Sequence, residues 1–373
     1  MTRSFFVRYI EAFQRIEGWF QFDAALMFMA YNQLVAGRGI AGDVLEIGVH
    51  FGLSAIATAH LRGSGSKFYA VDLFEDLQNK NVSRSGAGNR GIFERNMGQF
   101  FDDLSFLQVL AKSSADIRPD DVGRSFSFCH IDGGHSRRET FGDLDLCSEI
   151  LVPGGLLGID DYFNVEHPGV CEGAVEFHLR KPGVLKPIAI GFNKVLFQKQ
   201  PCGFDLNAEF HDRFPEVQFK TVQMWDQPAV LLPEVLRTYF DLQASTPREL
   251  RPVGAQRWAT FAAAQAVRAK AGAPILMPVE VTNASPEPLP HGKDVFGLSY
   301  HLLSKDGRTI SHDNARAYLK HALDPGKTIR CELPVATPRE PGQYRLELDL
   351  VWEGVMWFRD IGNPTALVDL VVT

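Results

Sequence analysis

Carboxylate side chains follow two apolar segments of this chain. Asp132 lies in the sequence HIDGGH (130–135), and Asp160 and Asp161 lie in GIDDY (158–162). Each preceding apolar run is typical of a buried parallel strand. In open α/β sheets the carboxyl ends of neighbouring strands border one crevice, where ligands bind. Three carboxylates in one crevice repel each other unless a cation or protons lie between them. The sequence therefore predicts a charged ligand site at this edge of the sheet.

Two earlier strand ends carry acids of the same kind. Glu46 lies in LEIGVHFG (45–52), and Asp72 ends the next predicted strand. Gly48 and Gly52 allow a tight turn and a close approach of a ligand to the main chain. They do not complete the GxGxxG pattern, so a pyrophosphate cradle is poorly supported. An acid at the position of Asp72 is suited to accept hydrogen bonds from the hydroxyl groups of a ribose. The alternative for either acid is a helix cap.

Strand and helix patterns alternate between the N-terminal region and the middle of the chain. Apolar residues at helical spacing over 4–36 predict two helices broken near Gly18. The alternation that follows predicts a doubly wound, Rossmann-like parallel sheet with helices on both faces, so the fold class is α/β. The predicted strands are 44–47, 67–71, 106–111, 126–131 and 156–159, with helices at 54–61, 93–101 and 137–151 and an antiparallel pair at 186–190 and 194–198.

The last third of the chain has a different sequence pattern. Short strand patterns are separated by turns rich in proline, glycine and asparagine, which predicts an all-β sandwich. Its strands are predicted at 275–281, 295–303, 328–333, 344–351 and 367–372. We expect an N-terminal helical cap (1–40), an α/β domain (41–200), an extension and linker (201–250) and the sandwich (251–373). Within the extension we expect strands at 217–222 and 229–232 and a helix at 233–243.

Composition narrows the class of protein. The chain has 373 residues, of which 45% are hydrophobic and 22% charged, and these fractions are typical of a globular protein. A net charge of −7 without a dense basic cluster argues against a nucleic-acid partner. No segment has the pattern of a signal peptide or a membrane span. The five cysteines are scattered, which is typical of a reduced cytoplasmic protein.

Four segments together carry a resemblance to a known family. They are LEIGVHFG (45–52), AVDLFED (70–76), HIDGGH (130–135) and VPGGLLGIDDY (152–162). Between about Gly42 and Lys199 the chain resembles the class I S-adenosylmethionine-dependent methyltransferases. Within that class it is similar to the macrocin O-methyltransferase (TylF-like) family, which acts on sugars and antibiotics.

The resemblance implies a cofactor site. S-adenosylmethionine would lie along the turn containing Gly48 and Gly52. Glu46 would hold its ammonium group and Asp72 its ribose. The end of the third strand, at Ser113 and Ser114, would face the adenine, although serines there also suit an ordinary turn.

The resemblance also implies a metal and a base. Relatives bind Mg²⁺ at positions matching Asp132, Asp160 and Asp161, and Mg²⁺ prefers such hard oxygen ligands. Zinc is less expected, because this predicted ligand set is all oxygen. His135 is the favoured base for the acceptor hydroxyl, because the ordinary pKa of histidine suits proton transfer near neutral pH, and Asp132 is the alternative.

The expected activity is O-methylation of a sugar carried by a glycan, a sugar nucleotide or a glycosylated metabolite. Two alternatives remain open: methylation of a catechol or other aromatic diol, and a non-methylating scaffold that is hydroxylase-associated or binds glycans. Residues 79–90 suit a lid, and residues 162–164 suit an acceptor pocket. In the sandwich, Trp352, Trp357 and Phe358 suit either a sugar platform or core packing, and homo-oligomerisation is a further possible role for this domain.

Overall fold

The structure is a computed structural model. It describes residues 4–13, 15–81, 86–233, 235–242, 250, 258–285, 288–353, 356–361 and 363–373. The chain divides into two compact units. One comprises Thr2–Leu236 and Leu242–Pro252, and the other Arg237–Asp241 and Val253–Thr373 with Met1. No helix in the described ranges combines the length and apolar character needed to cross a bilayer.

The first unit consists of helices packed around one sheet. Its helices are α1 (Phe5–Ala12), α2 (Phe22–Gly37), α3 (Leu53–Ala59), α4 (Arg90–Gly98), α5 (Pro119–Val122), α6 (Arg137–Ile150), α7 (Pro168–Arg180) and α8 (Leu206–Arg213). Its strands are β1 (Asp43–Ile47), β2 (Phe68–Asp72), β3 (Leu107–Ala111), β4 (Phe126–Ile131), β5 (Leu151–Asp160), β6 (Leu185–Gly191), β7 (Lys194–Lys199), β8 (Lys220–Met224) and β9 (Gln227–Leu231).

The nine strands form one sheet in the order β3-β2-β1-β4-β5-β7-β6-β9-β8. The first five are parallel, and β7 runs antiparallel to β5. The direction in which successive strands are added reverses between β1 and β4, which is where open α/β sheets bind ligands. The predicted α/β class is therefore confirmed.

The extension differs from its predicted form. Strands β8 and β9 join the main sheet through β9 and β6, and helix α8 was not predicted. The helix predicted over 233–243 is wrong: the described residues there form only a short 3-10 turn, Arg237–Tyr239. One reason is that the Leu236 N–H donates to the Asp23 carboxylate at 2.8 Å instead of to a helical carbonyl.

Helix α2 is buried along nearly its whole length, which explains its lack of an amphipathic pattern. It contacts β5, α3 and α8. Gly158 on β5 permits a close approach, because a Cβ there would lie 2.8 Å from the Phe28 ring. Helix α2 therefore lies directly against the strand that ends at Asp160.

Helix α7 approaches α6 and the loop before it through two glycines. A Cβ on Gly169 would lie 2.5 Å from the His135 carbonyl oxygen, and one on Gly173 would lie 2.6 Å from the Arg137 carbonyl oxygen. Both distances are shorter than real Cβ contacts. The first turn of α7 is therefore held against the segment that follows β4.

The second unit contains two sheets, as an all-β sandwich requires. Its strands are β10 (Ala259–Ala262), β11 (Ala266–Ala269), β12 (Ile275–Asn283), β13 (Phe296–Ser304), β14 (Thr309–Ser311), β15 (Ala317–Tyr318), β16 (Thr328–Val335), β17 (Gly342–Trp352), β18 (Met356–Trp357) and β19 (Ala366–Val372). One sheet has the order β10-β12-β16. The other has the order β11-β19-β17-β13-β14, with β15 on β13 and β18 on β17. Every pairing is antiparallel except β11 with β19.

The glycine contact between α7 and α6 predicts a difference between two substitutions. Gly173→Ala should lower the free energy of unfolding by about 1–3 kcal/mol, because its methyl group would overlap backbone and the Thr140 side chain. Gly142→Ala on α6 is the control: nothing lies within 4 Å of its Cβ position, so it should stabilise by roughly 0.5–1 kcal/mol. Urea titration of both variants measures the difference, and equal effects would contradict the packing.

Candidate active site

A cavity of about 890 Å³ opens at the carboxyl ends of β1, β2, β4 and β5. Its volume lies within the range of small-molecule sites, roughly 300–1,000 Å³. Its wall includes Gly48, Asp72, Asp132, Asp160 and Asp161. The acids predicted from four strand ends therefore reach one cavity, with the exception of Glu46.

The turn after β1 is closed by Asp72. Gly48 has φ +85°, and a Cβ there would lie 1.8 Å from the Asp132 carbonyl oxygen, so only glycine fits. One Asp72 carboxylate oxygen accepts the N–H groups of Val49 and His50 at 3.0 and 2.8 Å. The other accepts the Phe74 N–H at 2.9 Å. Asp72 is thus fixed against the turn while lining the cavity.

The second predicted glycine of this turn begins α3. Gly52 precedes the helix with φ +97°, a conformation that side-chain-bearing residues rarely adopt. A Cβ there would lie 3.1 Å from the Phe93 ring, so the position is also tightly packed. Gly52 therefore shapes the turn, and it is absent from the residues that line the cavity.

Glu46 is fully buried and does not line the cavity. Its carboxylate accepts hydrogen bonds from the Ser54 and Thr58 hydroxyls on α3. His130 Nδ1 lies 3.4 Å from the same carboxylate. These contacts tie β1 to α3 and β4, and the predicted contact between Glu46 and a ligand ammonium group remains a prediction.

Ser113 and Ser114 both line the cavity at the end of β3. Ser114 also hydrogen-bonds to Asp143 on α6. Burial raises the pKa of Asp143 to about 7, although that hydrogen bond opposes the shift. Their predicted contact with adenine remains a prediction.

Asp160 is buried and paired with a lysine. Lys194 Nζ, itself 2% exposed, lies 2.5 Å from Asp160 Oδ2. The other carboxylate oxygen, Oδ1, accepts the Asp161 N–H at 2.8 Å and the Asn193 amide at 3.3 Å. Lys194 also lies 4.8 Å from the centre of the Phe20 ring. Both oxygens of Asp160 are therefore engaged by groups of the protein.

Asp161 has a left-handed backbone with φ +57°. Its Oδ1 accepts amide hydrogens from Asn164 at 2.8 Å and Asn193 at 2.5 Å. Burial alone would raise its pKa, but hydrogen bonds from His135, Asn164 and Asn193 hold the pKa well below the ordinary value. Asp161 is therefore a stable carboxylate at the cavity wall.

The pKa of Asp132 is shifted in the opposite direction to that of Asp161. Burial raises its pKa well above the ordinary value, and the charges of Asp160, Asp161 and Glu46 raise it further, while Lys194 opposes them. The repulsion predicted for three carboxylates in one crevice is therefore present, and a lysine compensates part of it.

Two histidines converge on Asp161. His135 Nε2 lies 3.2 Å and His167 Nε2 lies 3.9 Å from Asp161 Oδ2. The two imidazole rings stack with centroids 3.8 Å apart and an interplanar angle of 11°. Among the described residues, these three side chains form the group whose potential metal-ligand atoms all lie within 4.8 Å of one another. The predicted metal ligands Asp132 and Asp160 are not in that group, and their role stays a prediction.

Sequence reasoning missed three residues of this site: His167, Asn193 and Lys194. His167 immediately precedes α7, and the close glycine packing that brings it to His135 has no signal in a single sequence. Asn193 immediately precedes β7 and Lys194 begins it; this strand was predicted as part of an antiparallel pair at the sheet edge. A lysine at the start of an otherwise apolar strand was the available signal, since that position is paired with Asp160.

The three residues expected to form an acceptor pocket, 162–164, differ in whether they line the cavity. Asn164 lines the cavity, Tyr162 is buried in the core, and Phe163 is exposed but not part of the cavity wall. Trp19, which was not predicted, is 73% exposed and does line the cavity. Within the expected lid, 79–90, residues 82–85 lie outside the described residues.

In the second unit, the three aromatic residues suggested as a sugar platform do not form one exposed surface. Trp352 and Phe358 are buried in the core, and each packs edge-on against Phe296. Trp357 is half-buried and packs between His301 and His312. Core packing is thus the role of the first two rings.

Residues 45–162 match the family model described as a methyltransferase domain. The similarity to methyltransferases lies in this segment. The predicted enzyme class is therefore confirmed at this level. The matched segment runs from β1 to the residue after Asp161, so it includes every predicted site residue. No curated protein matches the chain.

Several solved structures resemble part of the chain. The O-methyltransferase NovP is 19% identical over 47% of this chain and 79% of its own, with a TM-score of 0.40. The Bacillus cereus O-methyltransferase in complex with SAH is 15% identical over 54% and 92%, with a TM-score of 0.39. A SAM-dependent O-methyltransferase from Thermotoga maritima is 14% identical over 53% and 73%, with a TM-score of 0.37. At these identities and TM-scores, nothing about substrate or mechanism follows from the similarity.

The buried pair of Lys194 and Asp160 predicts a thermodynamic coupling. Lys194→Met should lower the free energy of unfolding by about 3–5 kcal/mol, because it leaves Asp160 buried without its counter-charge. Adding Asp160→Asn should recover most of that loss, since the charge is then removed as well. Urea titration of both single variants and the double variant measures the coupling. Additive losses would contradict the pairing.

Proposed function

We propose that the chain is an S-adenosylmethionine-dependent O-methyltransferase that methylates a sugar hydroxyl on a glycan, a sugar nucleotide or a glycosylated metabolite. The observation that carries the proposal is the arrangement of one cavity. Asp72 and the pair formed by His135 and Asp161 line the same cavity within a methyltransferase domain. A group suited to hold a nucleoside and a group suited to accept a proton therefore border one volume.

The charge of the cavity suits the methyl donor. Its acidic side chains outnumber its lysines; the acids are Glu17, Asp72, Asp132, Glu139, Asp160, Asp161 and Glu166, and the lysines are Lys80, Lys112 and Lys194. A wall of this composition attracts a cation such as the sulfonium of S-adenosylmethionine. Asp72 keeps lone pairs for ribose hydroxyls, because its three backbone donors use only part of its accepting capacity.

Methyl transfer is a displacement in which the acceptor oxygen forms a bond to the methyl carbon while the bond from sulfur to carbon breaks. S-adenosylhomocysteine leaves, and the hydroxyl proton passes to a base. We assign that base to His135, because the Asp161 carboxylate 3.2 Å away would stabilise the resulting imidazolium. Asn164 and Asn193 hold that carboxylate in place. Positioning of donor and acceptor supplies much of the remaining acceleration.

A sugar acceptor is supported by the polar residues near Asp161. Asn164, Glu166 and Asn193 line this part of the cavity and offer both donors and acceptors to hydroxyl groups. Trp19 contributes an exposed aromatic face to the same cavity, and such a face matches the apolar side of a pyranose ring. A catechol would use the ring face but would offer fewer hydroxyl groups to these polar residues.

The magnesium ion expected from the resemblance fits the described contacts poorly. Asp160 Oδ2 is occupied by the Lys194 ammonium, and Oδ1 accepts two further hydrogen bonds. An ion held by Asp132, Asp160 and Asp161 would have to displace that ammonium group. The transfer proposed here therefore includes no step through magnesium.

The role of Asp72 is tested by pairing a protein variant with a ligand variant. The native chain should bind S-adenosylhomocysteine roughly 10- to 100-fold more tightly than its 2′,3′-dideoxy analogue, because charge-assisted hydrogen bonds contribute about 1.5–3 kcal/mol. In Asp72→Asn this ratio should shrink towards one. Calorimetry measures both affinities in each protein. A general disturbance of the turn by the substitution would change both affinities alike, so it cancels in their ratio. An unchanged ratio in the variant would remove Asp72 from ribose binding.

The role of His135 is tested by separating turnover from binding. His135→Gln should lower methyl transfer by roughly 100-fold or more while changing the affinity for S-adenosylhomocysteine little. His211→Gln, at an exposed histidine on α8, should change neither quantity. A donor labelled in its methyl group, offered sugar nucleotides, oligosaccharides and catechols, measures turnover and acceptor class. Methyl transfer to catechols alone would refute the proposed sugar acceptor. Cofactor binding without any methyl transfer would favour the scaffold alternative.

A further inference from the structure

His135, Asp161 and His167 come together through the packing of α7 on the loop after β4. Gly169 lets the first turn of α7 lie against the His135 carbonyl, where a larger residue would overlap. His167 is the residue before that turn, so its imidazole is brought parallel to that of His135. Both Nε2 atoms are near the same carboxylate oxygen of Asp161.

We propose that these three side chains form a binding site for a borderline divalent cation such as Zn²⁺. Two imidazole nitrogens and one carboxylate oxygen are the ligands that zinc and its neighbours prefer over magnesium. Ligand atoms about 2.0–2.1 Å from a tetrahedral ion lie about 3.3 Å from each other. The two distances from nitrogen to Asp161 Oδ2, 3.2 and 3.9 Å, are near that value, and the stacked rings must tilt apart for both nitrogen lone pairs to point at one ion.

The surroundings of the three ligands are those of a metal site. Asn164 and Asn193 donate to Asp161 Oδ1, which leaves Oδ2 towards the histidines and fixes the carboxylate, as partners of metal ligands commonly do. The side chains of His135, Asp161 and His167 are 12%, 13% and 27% exposed, and all three line the cavity. An ion can therefore enter from the cavity, and a fourth position can take water or an acceptor oxygen.

The ion and the transferred proton would compete for His135. An imidazole that ligates a metal through Nε2 carries its own proton on Nδ1, so neither nitrogen can accept the hydroxyl proton. Bound Zn²⁺ should therefore inhibit methyl transfer, a consequence that rests on the proposed function. Binding of the ion does not rest on it, because the ligand geometry is independent of the reaction.

The test titrates Co²⁺ into the full chain after chelator treatment, with visible absorption and then displacement by Zn²⁺ as readouts. The native chain should bind one ion at this site and show the absorption of a site with nitrogen and oxygen ligands. His167→Phe keeps an aromatic ring for stacking but removes the nitrogen, and it should weaken Co²⁺ binding roughly 100-fold or more. Asn164→Ala should weaken it roughly 10- to 100-fold, as loss of an outer hydrogen bond does.

Two further variants decide between this site and the carboxylate set. His211→Ala should leave Co²⁺ affinity unchanged, because His211 lies 3.8 Å from Asp212 and has no third potential ligand among the described residues. The double variant Asp160→Asn/Lys194→Met should change it little, because Asp160 is not among the proposed ligands and no buried charge is left unpaired. Unchanged affinity in a folded His167→Phe variant, or a large loss in the folded double variant, would overturn the proposal. Inhibition by Zn²⁺ is measured separately, so absence of turnover in every variant would count against the proposed function and leave the binding result intact.

Discussion

The acidic edge of the sheet depends on the buried ion pair between Lys194 and Asp160. Strands β1, β4 and β5 bring Glu46, Asp132 and Asp160 to one edge, where their charges repel each other. A protein ammonium group held at 2.5 Å from Asp160 compensates part of that charge without an added ion. Asp132, Asp160 and Asp161 all line the cavity, but only Asp160 has the Lys194 ammonium group as a direct partner.

Glycines set the remaining geometry of the site. Gly48 lets the turn after β1 touch the Asp132 carbonyl, and Gly169 lets α7 touch the His135 carbonyl. In each contact, the glycine lets two main-chain segments touch where a side chain would keep them apart. The distances around the cavity therefore depend on close packing of the main chain. Close packing of this kind deforms little. A site that positions two reactants benefits from that rigidity, since small displacements cost large factors in rate.

Much of the fold followed from patterns that the sequence displays. The apolar runs before Asp72, Asp132 and Asp160 marked three of the parallel strands, and the carboxyl ends of parallel strands meet at one edge of the sheet whatever the loops between them. Glu46 illustrates what such patterns omit: its position on β1 was predicted, but its burial against Ser54 and Thr58 depends on how α3 packs. His167 illustrates the same limit, because its neighbour His135 lies on another element. Contacts made by packing between elements leave no periodic trace in a single sequence.

The central claim is that one cavity holds the nucleoside at Asp72 and presents the acceptor to His135 and Asp161, with Lys194 as a structural counter-ion. A crystal structure of the full chain with S-adenosylhomocysteine, grown with magnesium, tests it most directly. The account predicts ribose hydroxyls on Asp72, the sulfur directed towards His135 and Asp161, and Lys194 still bonded to Asp160. A nucleoside bound elsewhere, or a magnesium ion on Asp132, Asp160 and Asp161 with Lys194 displaced, would contradict it.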